Sequence, residues 1–151
     1  MKHIFNIIII ILVIVGAVFI LQKPRKAQAP EEQRTLEEIE KMDLIRLDSP
    51  RPNDTIKSPL VVKGQARGYW FFEADFPVVL VDWDGLIIAT GIARAQGEWM
   101  TEEFVPFEVT LDFTVDPNVY STRGALILRK NNPSDLRQND DALEIPIIFK
   151  K

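Results

Sequence analysis

The sequence contains no cysteine and a single histidine, His3. The first absence excludes disulfides, thiolate chemistry, Cys-ligated zinc and a lipoprotein anchor carried on a lipidated Cys. It leaves the redox compartment open, because a domain of this size can fold on an apolar core alone. A histidine confined to position 3 keeps a Ser–His–acid triad out of the remaining chain, which also lacks a Gly-x-Ser-x-Gly elbow. Dinucleotide and phosphate-loop glycine motifs are missing as well. Nor is there an excess of positive charge: Lys and Arg number 18 against 22 Asp and Glu, for a net charge of −4. Residues 1–43 hold equal numbers of each sign, so the −4 belongs to residues 44–151. A mildly acidic domain has no basic stripe to neutralise phosphates, and nucleic acid is set aside as a partner.

What the sequence does have begins with an apolar run, Ile4 to Leu21, interrupted only by Asn6, Gly16 and small residues. As a helix it is roughly 27 Å long, enough for a thin hydrocarbon core and longer than the apolar part of most secretory signals. Ala27-Gln28-Ala29 has the form of a cleavage site, but Pro30 would follow the cut and hinder it. An uncleaved anchor over residues 1–22 is expected. Lys23, Arg25 and Lys26 after the span outnumber Lys2 and the free amine before it, which by flanking charge favours a cytoplasmic C-terminus. The short N-terminal flank instead has the form of a signal-anchor start.

Residues 23–43 read as a charged linker. Leu36, Ile39 and Met42 recur at helical spacing and Glu37 and Lys41 form an i,i+4 pair, so a short amphipathic helix is possible within a solvated spacer.

From Leu44 the apolar period is two. Phe107, Val109, Leu111 and Phe113 alternate with Glu108, Thr110 and Asp112, and Leu143, Ile145, Ile147 and Phe149 repeat the pattern. Pro146 falls on the outward set and lacks an N–H, which suits an edge strand. Trp83-Asp84-Gly85 between two apolar runs, Val78–Asp82 and Leu86–Ala93, marks a hairpin. Leu60–Ala66, Ala125–Lys130 and a piece near Leu44–Asp48 bring the count to about seven strands, separated by Pro- and Asn-rich turns. The expected fold is all-β, a two-sheet sandwich spanning residues 44–151.

Three stretches carry a family resemblance. The first is Ser58 to Ala74 with its run Gly68-Tyr69-Trp70-Phe71-Phe72-Glu73, and the second is Gly97 to Phe107 with Trp99-Met100-Thr101-Glu102. The third is Asn132-Pro133-Ser134 leading into Asp141-Ala142-Leu143-Glu144-Ile145-Pro146. Over roughly residues 45–149 the chain resembles the immunoglobulin-like domain of bacterial spore germination. The resemblance implies an immunoglobulin-like sandwich outside the cytoplasm, attached to a membrane anchor, with no catalytic residues to carry over. It is the stronger reason to expect a single-pass membrane protein with its C-terminal domain extracytoplasmic and a protein or cell-wall partner.

Paired carboxylates are the remaining enzymatic option. Glu73 with Asp75, or Glu98 with Glu102 and Glu103, would suit a small envelope hydrolase if two of them met in a cleft. Calcium has oxygen donors in Asp82-Trp83-Asp84-Gly85 and Asn139-Asp140-Asp141, but neither follows the calcium-loop pattern. The reading is non-catalytic, without metal or cofactor. A binding module and a purely structural spacer both fit it.

The aromatic run is the most informative feature. In an extended segment Tyr69 and Phe71 face one way and Trp70 and Phe72 the other. The candidate binding residues are Trp70 and Phe72 with Trp99, flanked by Arg67 and Glu73, as a surface platform for a peptide or glycan. The alternative is a loop-covered satellite core in which Arg67 or Glu73 satisfies the indole.

Overall fold

The structure, a computed structural model, describes residues 39–150. The anchor expected over residues 1–22, and most of the linker, lie outside the described residues. Among the described residues no helix is long and apolar enough to cross a membrane.

Eight strands follow in chain order: β1 Ile45–Ser49, β2 Thr55–Ile56, β3 Leu60–Arg67, β4 Asp75–Asp82, β5 Ile87–Ala95, β6 Phe104–Leu111, β7 Arg123–Arg129 and β8 Ala142–Phe149. The seven runs read from the sequence are all strands; β2 is the addition. Two residues long, it carries too little pattern to be seen in advance.

The expected pair of separate sheets is corrected to one continuous sheet of order β1-β3-β6-β5-β4-β7-β8-β2. Laid flat, β1 and β2 would be about 34 Å apart at the spacing of neighbouring strands. Yet only residues 50–54 connect them, a reach of about 21 Å at full extension. The sheet must therefore curl, and its two halves enclose one core. β1, β3 and β6 form one half and β4, β7 and β8 the other, the partition of strands A-B-E and C-F-G in immunoglobulin sandwiches. The halves are joined by β5, which pairs with β4 from Ile87 to Arg94 and with β6 only through Arg94↔Glu108 and Ala95↔Phe107.

Alternation decides what fills the core. β3 and β6 bury every second residue, Val62, Ala66, Val105, Phe107, Val109 and Leu111 among them. Facing them are Phe76, Val78 and Leu80 of β4, Leu126 and Leu128 of β7, and Leu143, Ile145 and Ile147 of β8. Phe76 packs edge-on between Phe71 and Phe107, with ring centroids 5.2 and 4.9 Å away. Gly91 lets the halves close up where β5 leaves β6, since a Cβ there would lie 2.5 Å from a Leu111 methyl. Pro146 faces outward as expected, but the edge strand expected there is corrected: β2 lies beyond β8, pairing with Ile148 and Phe149. Pro146 sits just short of that pairing, where its missing N–H costs no ladder bond to β2 and its carbonyl accepts from the Asn53 N–H at 2.7 Å.

Antiparallel register fixes two poles. The start of β1, the end of β3 and the starts of β4, β6 and β8 share the pole at which the chain arrives from Lys41. Lys41 is bound there to the Asp141 carboxylate and to the Ala142 carbonyl. The β4–β5 hairpin and the β6–β7 connection, residues 112–122, occupy the opposite pole.

Candidate functional site

The five residues singled out from the sequence do not form a platform. Residues Gly68–Trp70 make a single 3-10 turn instead of a strand, which shifts the alternation. Trp70 and Phe71 both point inward and are buried, while Tyr69 and Phe72 are exposed. The expected pairing of Tyr69 with Phe71 against Trp70 with Phe72 is therefore corrected. Trp99 is half-buried against the core. Among the described residues the indole N–H of Trp70 meets no acceptor, so neither Arg67 nor Glu73 satisfies it. An arginine has no acceptor with which to do so.

Arg67 instead ties loops together. Its Nε donates to the Asp43 carbonyl at 3.0 Å and an Nη to the Glu102 carbonyl at 3.1 Å. Its guanidinium lies 4.1 Å from the centre of the Phe104 ring, and that of Arg46 lies 4.0 Å from it. Glu73 and Ala74 turn the chain through the left-handed region, with φ of 53° and 65°. Glu73 is exposed.

Three of the five carboxylates proposed for acid–base work have structural partners. Asp75 accepts from the Asn131 amide at 3.2 Å, Glu98 from the Met100 N–H at 3.0 Å, and Glu103 lies 3.9 Å from Arg67. Two of the donors considered for calcium, Asp82 and Asp140, are similarly engaged. Asp82 Oδ1 accepts from the backbone N–H groups of Asp84 and Leu86, both at 2.9 Å, and Asp140 accepts from the Asn132 amide. Among the described residues no three or more His, Cys, Asp or Glu side chains are grouped to hold a metal ion.

The unexplained surface lies at the opposite pole. Asp82, with Gly85 at φ 82°, builds a braced turn that holds Trp83 and Leu86 outward. Trp83 is 47% exposed, Leu86 68% and Ile87 56%. Tyr120, from the neighbouring 112–122 connection, is 88% exposed and packs against Trp83 with ring centroids 5.4 Å apart. Large apolar side chains in water are costly at about 25 cal/mol per Å2. Four of them beside a braced turn make an exposed apolar patch, in which the packing of Trp83 on Tyr120 already restricts the side chains.

Beside the patch, the outward face of β4, β7 and β8 is also apolar. By register and alternation Val79 stands beside Ile127, and Val81 beside Ala125 and Pro146; Val79 and Ala125 are buried there, and Val81, Ile127 and Pro146 are half-buried. Half of a sandwich face that would ordinarily be polar is thus apolar. None of these residues was singled out as a candidate in the sequence. Two signals pointed to them: a Trp inside a turn, where polar residues prevail, and the unbroken run Val78-Val79-Leu80-Val81, which cannot all face one core.

The Trp83–Tyr120 pair contributes little to folding. Trp83→Ala with Tyr120→Ala is expected to lower unfolding free energy by about 1 kcal/mol or less, as for exposed positions. A urea titration measures this.

Fold and surface together define an immunoglobulin-like sandwich with an exposed aromatic patch. The chain belongs to the family of immunoglobulin-like domains of bacterial spore germination, whose sequence model matches residues 44–135. Comparisons with curated proteins and with solved structures gave no match.

Proposed function

We propose that this protein is a non-catalytic interaction module of the bacterial cell envelope, held to the membrane through residues 4–21 with its immunoglobulin-like domain outside the cytoplasm. In this reading the domain binds a protein partner through Trp83 and Tyr120, and the family supports a setting in spore germination. The observation that carries it is the exposed aromatic pair on a braced hairpin. Exposed aromatic patches of this kind recur where one protein docks on another. The apolar run Ile4–Leu21 supports the anchor, and the family supports the extracytoplasmic side.

A photo-crosslinking residue at position 120 of the full chain, activated in intact cells, tests the contact. Its expected product is a discrete adduct that falls at least tenfold when Trp83→Ala is added. An adduct indifferent to Trp83 defeats the contact site. A reporter fused to Lys151, active only outside the cytoplasm, tests the compartment separately, and a silent reporter overturns it.

A further inference from the structure

Strand edges offer unpaired N–H and C=O groups to any passing strand, and folded proteins ordinarily blunt them. Both ends of this sheet are blunted: β1 carries Arg46 and Asp48 and a register shift, and β2 is two residues long. The edge of β5 is different. Beyond Arg94 and Ala95, which pair with β6, residues Ile87 to Ile92 are paired on the β4 side alone. The sequence of that edge, Ile87-Ile88-Ala89-Thr90-Gly91-Ile92, has no charge and no proline. Its one irregularity is the register shift opposite Val81, where Ile88 is the extra residue.

We infer that two copies of this chain pair through this edge, β5 against β5 in antiparallel, about a two-fold axis at Thr90. The inference does not use the Trp83–Tyr120 contact. A two-fold perpendicular to an antiparallel sheet passes between a residue and its own copy, so one residue must face itself. Thr90 is exposed on the outward face, and Thr–Thr is a favourable cross-strand pair. With the axis there, Ala89 faces Gly91, and Ile92 faces the Ile87–Ile88 shift counted as one step. Arg94 then reaches the Asp84–Gly85 turn of the second copy. Among the described residues neither Arg94 nor Asp84 has an ion-pair partner within the chain. The pairing therefore brings opposite charges together twice, once at each end, and sets no like charges face to face. It also extends the outward apolar surface across both copies.

The sequence has no cysteine, so a single introduced thiol reports on the pairing without background. Thr90→Cys in the full chain, treated in intact cells with a short membrane-permeant bis-maleimide, is expected to give a covalent dimer. Its yield should exceed by tenfold or more that of Gln65→Cys, an exposed position on the other half of the sheet. Adding Arg94→Glu to Thr90→Cys should lower the yield at least fivefold, and further adding Asp84→Arg should restore it to within twofold. Thermal midpoints confirm that each variant is folded. Equal yields at positions 90 and 65, adducts with other proteins in place of a dimer, or a charge swap that does not restore the dimer would each overturn the inference. Loss of the dimer with the position-120 adduct intact would leave the partner contact standing.

Discussion

Trp70→Ala is expected to lower the unfolding free energy by about 3–5 kcal/mol, the cost of emptying a large aromatic site in a packed core. Trp70 is fully buried in the cluster that includes Phe71, Phe76 and Phe107. The backbone around it is fixed from elsewhere, which limits collapse into the space. The Asn131 N–H donates to the Trp70 carbonyl at 3.0 Å, and the Asn131 amide donates to the carbonyls of Phe72 and Asp75, both at 3.3 Å. Against a typical domain stability of about 5–15 kcal/mol, such a loss would leave a substantial unfolded fraction. Trp70→Phe should cost less than half as much. It keeps most of the ring and removes an indole N–H that has no acceptor among the described residues, a group whose burial unpaired costs about 1–3 kcal/mol. Urea midpoints of the two variants check the order. Partner capture per folded molecule should be unchanged in both. Wild-type stability for Trp70→Ala, or lost capture by a stable Trp70→Phe, would return Trp70 to the surface role its sequence position had indicated.

The behaviour of this aromatic run shows where the sequence could be read and where it could not. Period-two alternation reports burial on one face, and β3, β6 and β8 obey it almost residue by residue. That signal locates β6 and β8 directly, while β4 and β5 show as apolar runs on either side of the Asp84-Gly85 turn. The same logic misassigned Tyr69–Phe72, since a 3-10 turn of three residues carries no periodicity of its own. The joining of the two halves was hidden for a related reason. It rests on two residue pairs at the end of β5, a matter of register between strands that no single-strand pattern records.

The exposed aromatic patch was harder still. Trp83 was accounted for as part of a turn, and a turn does form, with Asp82 and Gly85 in the roles their chemistry suits. What the turn displays depends on Tyr120, which is distant in sequence and brought alongside only by the pairing of β4 with β7. A patch assembled from two connections has no one-dimensional signature. Exposed Trp83, Leu86 and Tyr120 look like ordinary isolated apolar residues until the fold makes them neighbours.

Gly68→Ala is the second large effect, and its cause is space, not backbone conformation. A Cβ at Gly68 would fall on the carbonyl oxygens of Trp99 and Thr101, far inside contact distance. Overpacking usually costs about 1–3 kcal/mol because side chains can shift. Here the obstacles are backbone atoms, and the Gly68 N–H is itself bonded to the Glu103 carbonyl at 3.2 Å. Moving the 99–103 segment away would break that bond and the Arg67 bond to the Glu102 carbonyl, and it would disturb the half-buried Trp99. The expected loss is therefore about 3 kcal/mol or more. Gly85→Ala provides the contrast: nothing lies within 4 Å of its Cβ, and only its φ of 82° is unfavourable for alanine. That substitution should cost about 1 kcal/mol, the left-handed penalty of a single residue. Parallel urea titrations of the two variants separate the causes, and equal losses would show that the 99–103 backbone yields. The two glycines also sit at opposite poles, so Gly68→Ala should leave Trp83–Tyr120 capture intact in the molecules that remain folded, whereas any shift of the turn in Gly85→Ala falls directly on it.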